Sequence, residues 1–466
     1  MREVKPAPNI NILELDAPLS GRTDKTYEIK VITPIYGGWA QTGKYDEDNI
    51  IRAFSVRGNL RFWWRATRGA RFKEYKKLFE EESKIWGSVK SKAEELEDWV
   101  SSKPEKTTPP TKVRVKVTSN KLDYRKLEDK TGKLNKKGKP ENSAYGFGRN
   151  KEESYVLFPV IPTEKEKIEN KGFEYKLIRE GLTFEVTLSY EKEYEKDVLC
   201  ALWAWVNFGG IGSRTRRGCG ALYCDDFAPS KIESIDTWFK DNIDKKKYDL
   251  NLNIMRDWAT LSNKVFIGSI KSDPLAAWKE SIAPMKSFRQ GECFGRDERS
   301  DKQKPAGRSR WPEPDTLRKL FPSKNGEYTH SPRDFVPFGF PRAALGLPIG
   351  FKFIDGDGPN GDDGKGLKIK PVESERMASP VILRPLKTGN GVLPMIVLLN
   401  SKPPSNIEIP KTEHKFSFEE EVRNTKFIKP EYTDSPMMKG KTTSGDAVEA
   451  FLDFACKKHS FEEVKL

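Results

Sequence analysis

Sixteen consecutive residues, NFGGIGSRTRRGCGAL from Asn207 to Leu222, carry five glycines, three arginines and no carboxylate. Glycine admits positive φ and lets another group come close, whereas guanidinium is a planar donor suited to oxyanions. The stretch therefore reads either as a tightly worked turn or as a cradle for an anion, with Arg214, Arg216 and Arg217 supplying the charge. It fails both common nucleotide motifs: no Gly-Lys-Ser/Thr follows at the required offset, and Thr215 stands where a G-x-G-x-x-G pattern needs its third glycine. A helical pattern precedes it and a strand pattern follows, the reverse of both motifs. The sequence therefore argues against an ATP or dinucleotide site.

A second basic stretch, Arg52 to Lys73, holds seven basic residues and no acidic one. Within it Arg57, Arg61, Arg65 and Arg68 are spaced to fall within roughly 80° on a helix. Phe62, Trp63, Ala66, Gly69 and Ala70 occupy the opposite side, and Trp64 lands beside the arginines. A solvated helix interleaves Glu with Arg. Here the partner must come from outside the segment, either carboxylates elsewhere in the fold or phosphates. Trp64 is then a core residue or a surface on which a base stacks. A smaller cluster, GRSRWPEPDTLR, reads as a loop in which Arg308 and Arg310 flank Trp311.

Catalytic and metal chemistry find little to work with. The chain has three histidines and five cysteines, with no C-x-x-C pair, so no metal and no cofactor are expected. The acidic residues Asp355, Asp357, Asp362 and Asp363 lie in a glycine-rich run without EF-hand spacing and read as a hairpin loop. A net charge of +14 over 466 residues points to a polyanionic partner. Nucleic acid leads over an anionic membrane surface. No apolar run reaches the length of a membrane span, and the N-terminus has no signal-like core, so a cytoplasmic protein is expected.

The elements that must position these residues follow from periodicity. Strand patterns begin at Thr26, Val113, Tyr155 and Leu182, and again in GALYCDDF. Helical patterns cover Ser55 to Gly69, the segment FKEYKKLFEEESKIWG, and EKDVLCALWAWVNF, which runs directly into the glycine loop. The order suits a ferredoxin-like α+β unit with helices on one face of an antiparallel sheet. Residues 1–25 form an N-terminal arm, and 26–228 the first domain. This domain includes the loop 209–220 and a basic insertion at 101–150, where Ser101 to Pro140 alone holds thirteen Lys or Arg against four Asp or Glu. Residues 229–466 repeat the pattern: a strand in NKVFIGSI, a helix over Asp273 to Arg289, strands in VPFGFP, IGFKFI, VILRPL and VLPMIVLLN, and a final helix over Asp446 to Lys457. A second α+β unit is expected, without detectable sequence repeat.

Five stretches, TPIYGG (Thr33 to Gly38), SVRGNLRFWWRA (Ser55 to Ala66), GGIGSRTRRGCGAL, GRSRWPEPD (Gly307 to Asp315) and RMASPVILRPL (Arg376 to Leu386), together resemble one RAMP-superfamily subunit. It is the first-named subunit of the Cmr complex, the type III-B CRISPR RNA-guided effector. The resemblance implies two ferredoxin-like RAMP (RRM-like) folds and a non-catalytic role at the end of the effector backbone. There such a subunit holds guide RNA near its 3′ end and the paired target RNA, beside other RAMP subunits, while cleavage belongs to another subunit. Carried onto this chain, the RNA contacts are Arg57, Arg61, Arg65, Gly210, Ser213, Arg214, Arg216 and Arg217. Cys219 departs from the usual loop pattern. Two other readings stand beside this one: a guide-processing endoribonuclease using His330, Tyr36 or a lysine, and a structural adaptor whose arginines meet acidic patches on a neighbour.

Overall fold

A computed structural model describes residues 21–39, 44–87, 111–119, 128–130, 152–157, 176–290, 311–323, 326–328, 331–332, 334, 338–351, 353, 367–410, 412–424, 426–428, 442–444 and 446–465. The chain folds as α+β with antiparallel sheets. In the first unit the elements are β1 (Arg22–Val31), α1 (Ala53–Ala66), β2 (Val113–Ser119), β3 (Thr183–Glu191), α2 (Glu195–Phe208) and β4 (Leu222–Tyr223). They pair in the order β2-β3-β1-β4, all antiparallel. The second unit contains β5 (Thr260–Ile267), α3 (Pro274–Gln290), β6 (Val381–Lys387), β7 (Val392–Asn400), α4 (Ala447–His459) and β8 (Glu462–Glu463). Its order is β6-β7-β5-β8, again antiparallel. Both units are thus βαββαβ folds with one strand order, the ferredoxin-like topology, despite the absence of a sequence repeat.

Alternation fixes the faces. Tyr27, Ile29 and Val31 of β1, with Phe184, Val186 and Leu188 of β3, point onto α1 and α2, leaving Glu28, Lys30 and Glu185 in solvent. The second sheet is covered on both sides. Leu393, Met395 and Val397 share one core with Trp63, Trp64, Trp203 and Trp205, while Ile396 and Leu383 share another with Phe288, Phe451 and Phe454. The layers run sheet, helices, sheet, helices. Two-sided burial is why VLPMIVLLN is an apolar run and not an alternating one.

Several local expectations differ. The stretch expected as a strand from Tyr155 is entered by a helix, Glu152–Leu157, which buries Val156 and Leu157 against Trp278 and Ile282. GALYCDDF contributes only the two residues of β4. Phe338 to Phe340 of VPFGFP form no strand and lead into a 3-10 turn, Pro341–Leu345. WPEPDTLR is a helix, Pro312–Leu320, begun by a proline whose missing N–H is not needed there; Glu313 and Asp315 are buried and paired with Arg342 and Arg318. Most of the basic insertion, Arg308 and Arg310, His330 and the four aspartates of the glycine-rich run lie outside the described residues.

Candidate nucleic-acid interface

The arginine row on α1 is held from inside the protein. Arg61 Nε lies 2.6 Å and Arg65 Nη1 3.0 Å from Glu82 Oε1, on the following helix Tyr75–Trp86. Arg57 donates to the Trp86 carbonyl oxygen, and burial, then repulsion from Arg61, lowers its pKa. Arg68 is buried, lies 3.3 Å from Asp197 in the first turn of α2, and donates to the Tyr248 carbonyl. The missing partners are therefore carboxylates and carbonyls of neighbouring helices and of the turn at Tyr248. Arg61 and Arg65 share one carboxylate and stay about a third open, at 29% and 32% side-chain exposure.

Trp64 corrects the expectation of a stacking surface: it is fully buried, and its Nε1 donates to Asp197 Oδ1 at 2.7 Å. It lies on the arginine side of α1, but α2 covers that side through Asp197. Glu82 is nearly fully buried, so its loss leaves two guanidiniums facing a half-closed apolar site. Glu82→Ala should lower stability by about 2 kcal/mol, the deep-burial cost discounted for the open arginines, read as a fall in the thermal midpoint.

The glycine loop shows where its glycines are spent. A Cβ at Gly209, Gly210, Gly212, Gly218 or Gly220 would lie 2.5, 2.8, 2.9, 2.6 or 2.0 Å from another part of the protein. These close approaches are of the chain to itself, so the turn reading accounts for the glycines. Gly210 is buried and offers no surface, which removes it from the expected contacts. At Gly220 a φ of +61° coincides with the tightest approach, onto the Ile211 carbonyl oxygen. Gly220→Ala should cost about 3 kcal/mol or more, whereas Gly58→Ala, with open space at an exposed position of α1, should gain about 0.5–1 kcal/mol. Thermal denaturation of the pair reads both signs.

What the glycines hold in place is a rim of charge. Gly212 and Ser213 are exposed, Arg214 sits in the left-handed region at φ 60°, and Arg214, Arg216 and Arg217 are half-buried. Arg216 donates to the Ser379 carbonyl oxygen. Burial lowers the pKa of all three, bringing Arg217 to about 10.

The other four quoted stretches meet this loop or its supports. Thr33 Oγ1 donates to the Gly218 carbonyl at 2.6 Å and accepts from the Ala221 amide at 2.7 Å; Ser213 N donates to the Tyr36 carbonyl at 2.7 Å. Trp63 of α1 packs beside Gly209. Arg384 of β6 is fully buried and donates from Nη1 to the Gly209 carbonyl at 2.6 Å and from Nη2 to that of Leu222 at 2.8 Å. Trp311 packs on Phe288, and Arg342, lying over the Trp311 ring, donates to the Arg289 carbonyl.

Two aromatic residues at the rim, Phe54 and Trp39, escaped the sequence reading, as did the placement of Arg52 beside them. Arg52 donates to the Gly38 carbonyl and lies 4.6 Å over the Phe54 ring; Phe54 and Trp39 are 67% and 46% exposed. Gly38 packs directly on Gly212. The row therefore begins beside the loop at Arg52 and runs away from it along α1, whose 14 residues span about 21 Å at 1.5 Å per residue. Exposed aromatics beside guanidiniums are the composition of a single-strand binding surface. Strand alternation cannot single out Trp39, because it lies past the end of the strand at Ile35–Tyr36.

Among the described residues no helix is long and apolar enough to cross a membrane, and no group of three His, Cys, Asp or Glu is placed to hold a metal ion.

Comparison with known proteins bears on this arrangement. The CRISPR system Cmr subunit Cmr1-2 of Pyrococcus furiosus is 28% identical over 205 residues, covering 42% of this chain and 92% of that protein. The crystal structure of Cmr1 from Pyrococcus furiosus in its apo form aligns over 84% of this chain and 92% of its own, at 17% identity and a TM-score of 0.45. A chain of the Type III-B Cmr-beta bound to cognate target RNA aligns over 80% and 94%, at 14% identity and a TM-score of 0.39. Residues 28–223, from within β1 to the end of β4, match the RAMP superfamily. The match spans the first βαββαβ unit, and it is this unit that is similar to the RAMP superfamily.

Proposed function

We propose that this chain is a Cmr1-type subunit of a type III-B CRISPR effector, and that it holds guide RNA near its 3′ end, with the paired target RNA, through backbone contacts. The observation that carries the reading is the arginine rim of the glycine loop: Arg214, Arg216 and Arg217, beside exposed Ser213. Guanidiniums held on a rigid turn suit phosphate, which carries no sequence information, so binding is sequence-independent. Arg57, Arg61 and Arg65 extend the positive path along α1 as flanking contacts, and Trp39 and Phe54 offer faces for unpaired bases. The relative from Pyrococcus furiosus, a Cmr subunit by name, supports the assignment. Neighbouring RAMP subunits and RNA are the partners, in the cytoplasm.

The role is one of binding without cleavage. His414 packs against Phe321 and Phe416, and His459 against Phe454, so the two described histidines are engaged with aromatic rings in the second unit. The test is reconstitution of the effector with and without this chain. The complete particle should bind guide and target more tightly, and the purified chain incubated with guide-repeat RNA should leave it intact. Defined cleavage products that disappear in His330→Ala would establish the endoribonuclease reading instead.

A further inference from the structure

A groove of about 400 Å³ opens where four segments distant in sequence converge: Lys73, just past the turn that follows α1; Met255 to Asp257, in the connection between the units; Lys402 and Pro403, just past β7; and Arg423. Across walls shared at Met255, Pro403 and Arg423 it continues into a pit of about 90 Å³, lined by Met377, Leu398 and Phe418. The walls are tied from behind. Arg256 Nε donates to the Ala70 carbonyl at 3.0 Å, Trp258 Nε1 to that of Arg65 at 3.2 Å, and Asn400 Nδ2 to that of Leu252 at 2.9 Å. The charges of the groove do not balance. Lys402 meets Asp257 at 2.8 Å and Arg423 meets Asp446 at 3.4 Å, so both carboxylates of the lining are already taken. Lys73 is exposed and has no carboxylate partner among the described residues, and Arg256 donates only to backbone carbonyls, those of Ala70 and Met255. Next to Arg256, Met255 is 53% exposed, and Pro403, Leu398 and Met377 are only half-buried.

Unmatched cations beside a partly open apolar floor suit an anionic partner that also has apolar surface to bury. A phosphate backbone supplies only the charge, and bases need a flat ring on which to stack. The one aromatic ring among the lining residues is that of Phe418, which is 2% exposed. Methionine and arginine are by contrast enriched at protein interfaces, where the unbranched thioether adapts to an incoming side chain. We propose that this groove docks an acidic segment of a neighbouring protein chain, with its carboxylates on Lys73 and Arg256 and an apolar side chain on Met255 toward the pit. The proposal takes from the function reading only that the chain works in a multi-protein particle; it needs no RNA contact.

The experiment places a diazirine-bearing amino acid at position 255 of the full chain, assembles the particle, irradiates it and identifies the cross-linked peptides by mass spectrometry. Alongside, the affinity of the full chain for a particle assembled without it is measured for the wild type, for Lys73→Glu and for Lys73→Glu with Met255→Asp. Lys240→Glu, a reversal at an exposed lysine of the helix Ile235–Ile243, is the control. Cross-links should fall on a segment of another protein chain rich in Asp or Glu, with or without RNA in the particle. Lys73→Glu should weaken joining about tenfold and the double variant about a hundredfold, with the control at the wild-type affinity. Thermal midpoints should stay at the wild-type value, since both substituted side chains are exposed. Cross-links to RNA, to this chain or a second copy of it, or to a segment without carboxylates would overturn the assignment, as would the absence of any cross-link or an unchanged affinity in the double variant. A wild-type chain that joins no particle would overturn the function reading, and the source of the docked segment with it.

Discussion

Reversing the charge of Arg214 and Arg216 together should weaken RNA binding by the assembled effector about a hundredfold near physiological salt, and by the same factor for every RNA sequence. Uniformity is the diagnostic feature, because guanidinium–phosphate contacts position the strand and do not read it. The plot of log affinity against log salt should flatten by about 1.4, at roughly 0.7 per lost contact on a single strand. Folding should survive, since both residues lie at the half-exposed rim and their loop is held by backbone hydrogen bonds, Ile211 to Gly220 and Gly220 to Pro34, that the substitutions leave in place. The same reversal at Arg61 is a poor test. It would set a new carboxylate against Glu82, so lost binding could not be separated from lost stability.

The second large effect is expected at Arg384, which is buried from all solvent and donates to three backbone carbonyls, those of Gly209, Leu222 and Pro385. Burial pushes its guanidinium down to about 9, and no carboxylate contributes to that shift. Arg384→Met removes every donor at once and strands three acceptors in the interior, two of which bracket the glycine loop. The cost should be about 3–5 kcal/mol, part of it offset because a buried charge is also removed. Both the thermal midpoint and RNA binding should fall. Arg384→Lys, with a compact ammonium in place of the fork, should recover part of the stability. A wild-type midpoint in Arg384→Met would refute the role of this residue as the tie between the second unit and the loop.

Much of the fold was legible because burial and period coincide. The segment EKDVLCALWAWVNF is α2 from end to end, and the strand patterns at Val113 and Leu182 match β2 and β3 within a residue or so. The misreadings have one physical source, which is that tertiary neighbours decide what a short segment does. A six-residue helix at Glu152 is stabilised by the lysines and by Trp278 of α3, none of them nearby in sequence. Two-sided burial of β7 replaced alternation with continuous apolarity, and VLPMIVLLN was nonetheless legible as a strand.

The candidate site was legible in its types but not in its division of labour. An arginine row without local carboxylates signals that partners lie elsewhere, yet sequence cannot say whether they are phosphates or Glu82 and Asp197. The glycines signal close approach, but only the packing of Gly220 on Ile211 and Gly212 on Gly38 shows that the approaching chain is the protein's own. Arg384 sat in plain view in RMASPVILRPL, where an arginine amid apolar strand residues marks either an error of period or a buried donor with carbonyls to satisfy.

The central claim, that RNA lies on the arginine rim of the glycine loop, is met most directly by RNA–protein cross-linking with mass spectrometry on the assembled particle. The account predicts cross-linked nucleotides on peptides containing Gly212 to Arg217 and on those carrying Trp39 or Phe54. Cross-links from neighbouring subunits and from other parts of this chain, with none on the loop or its aromatic rim, would contradict it.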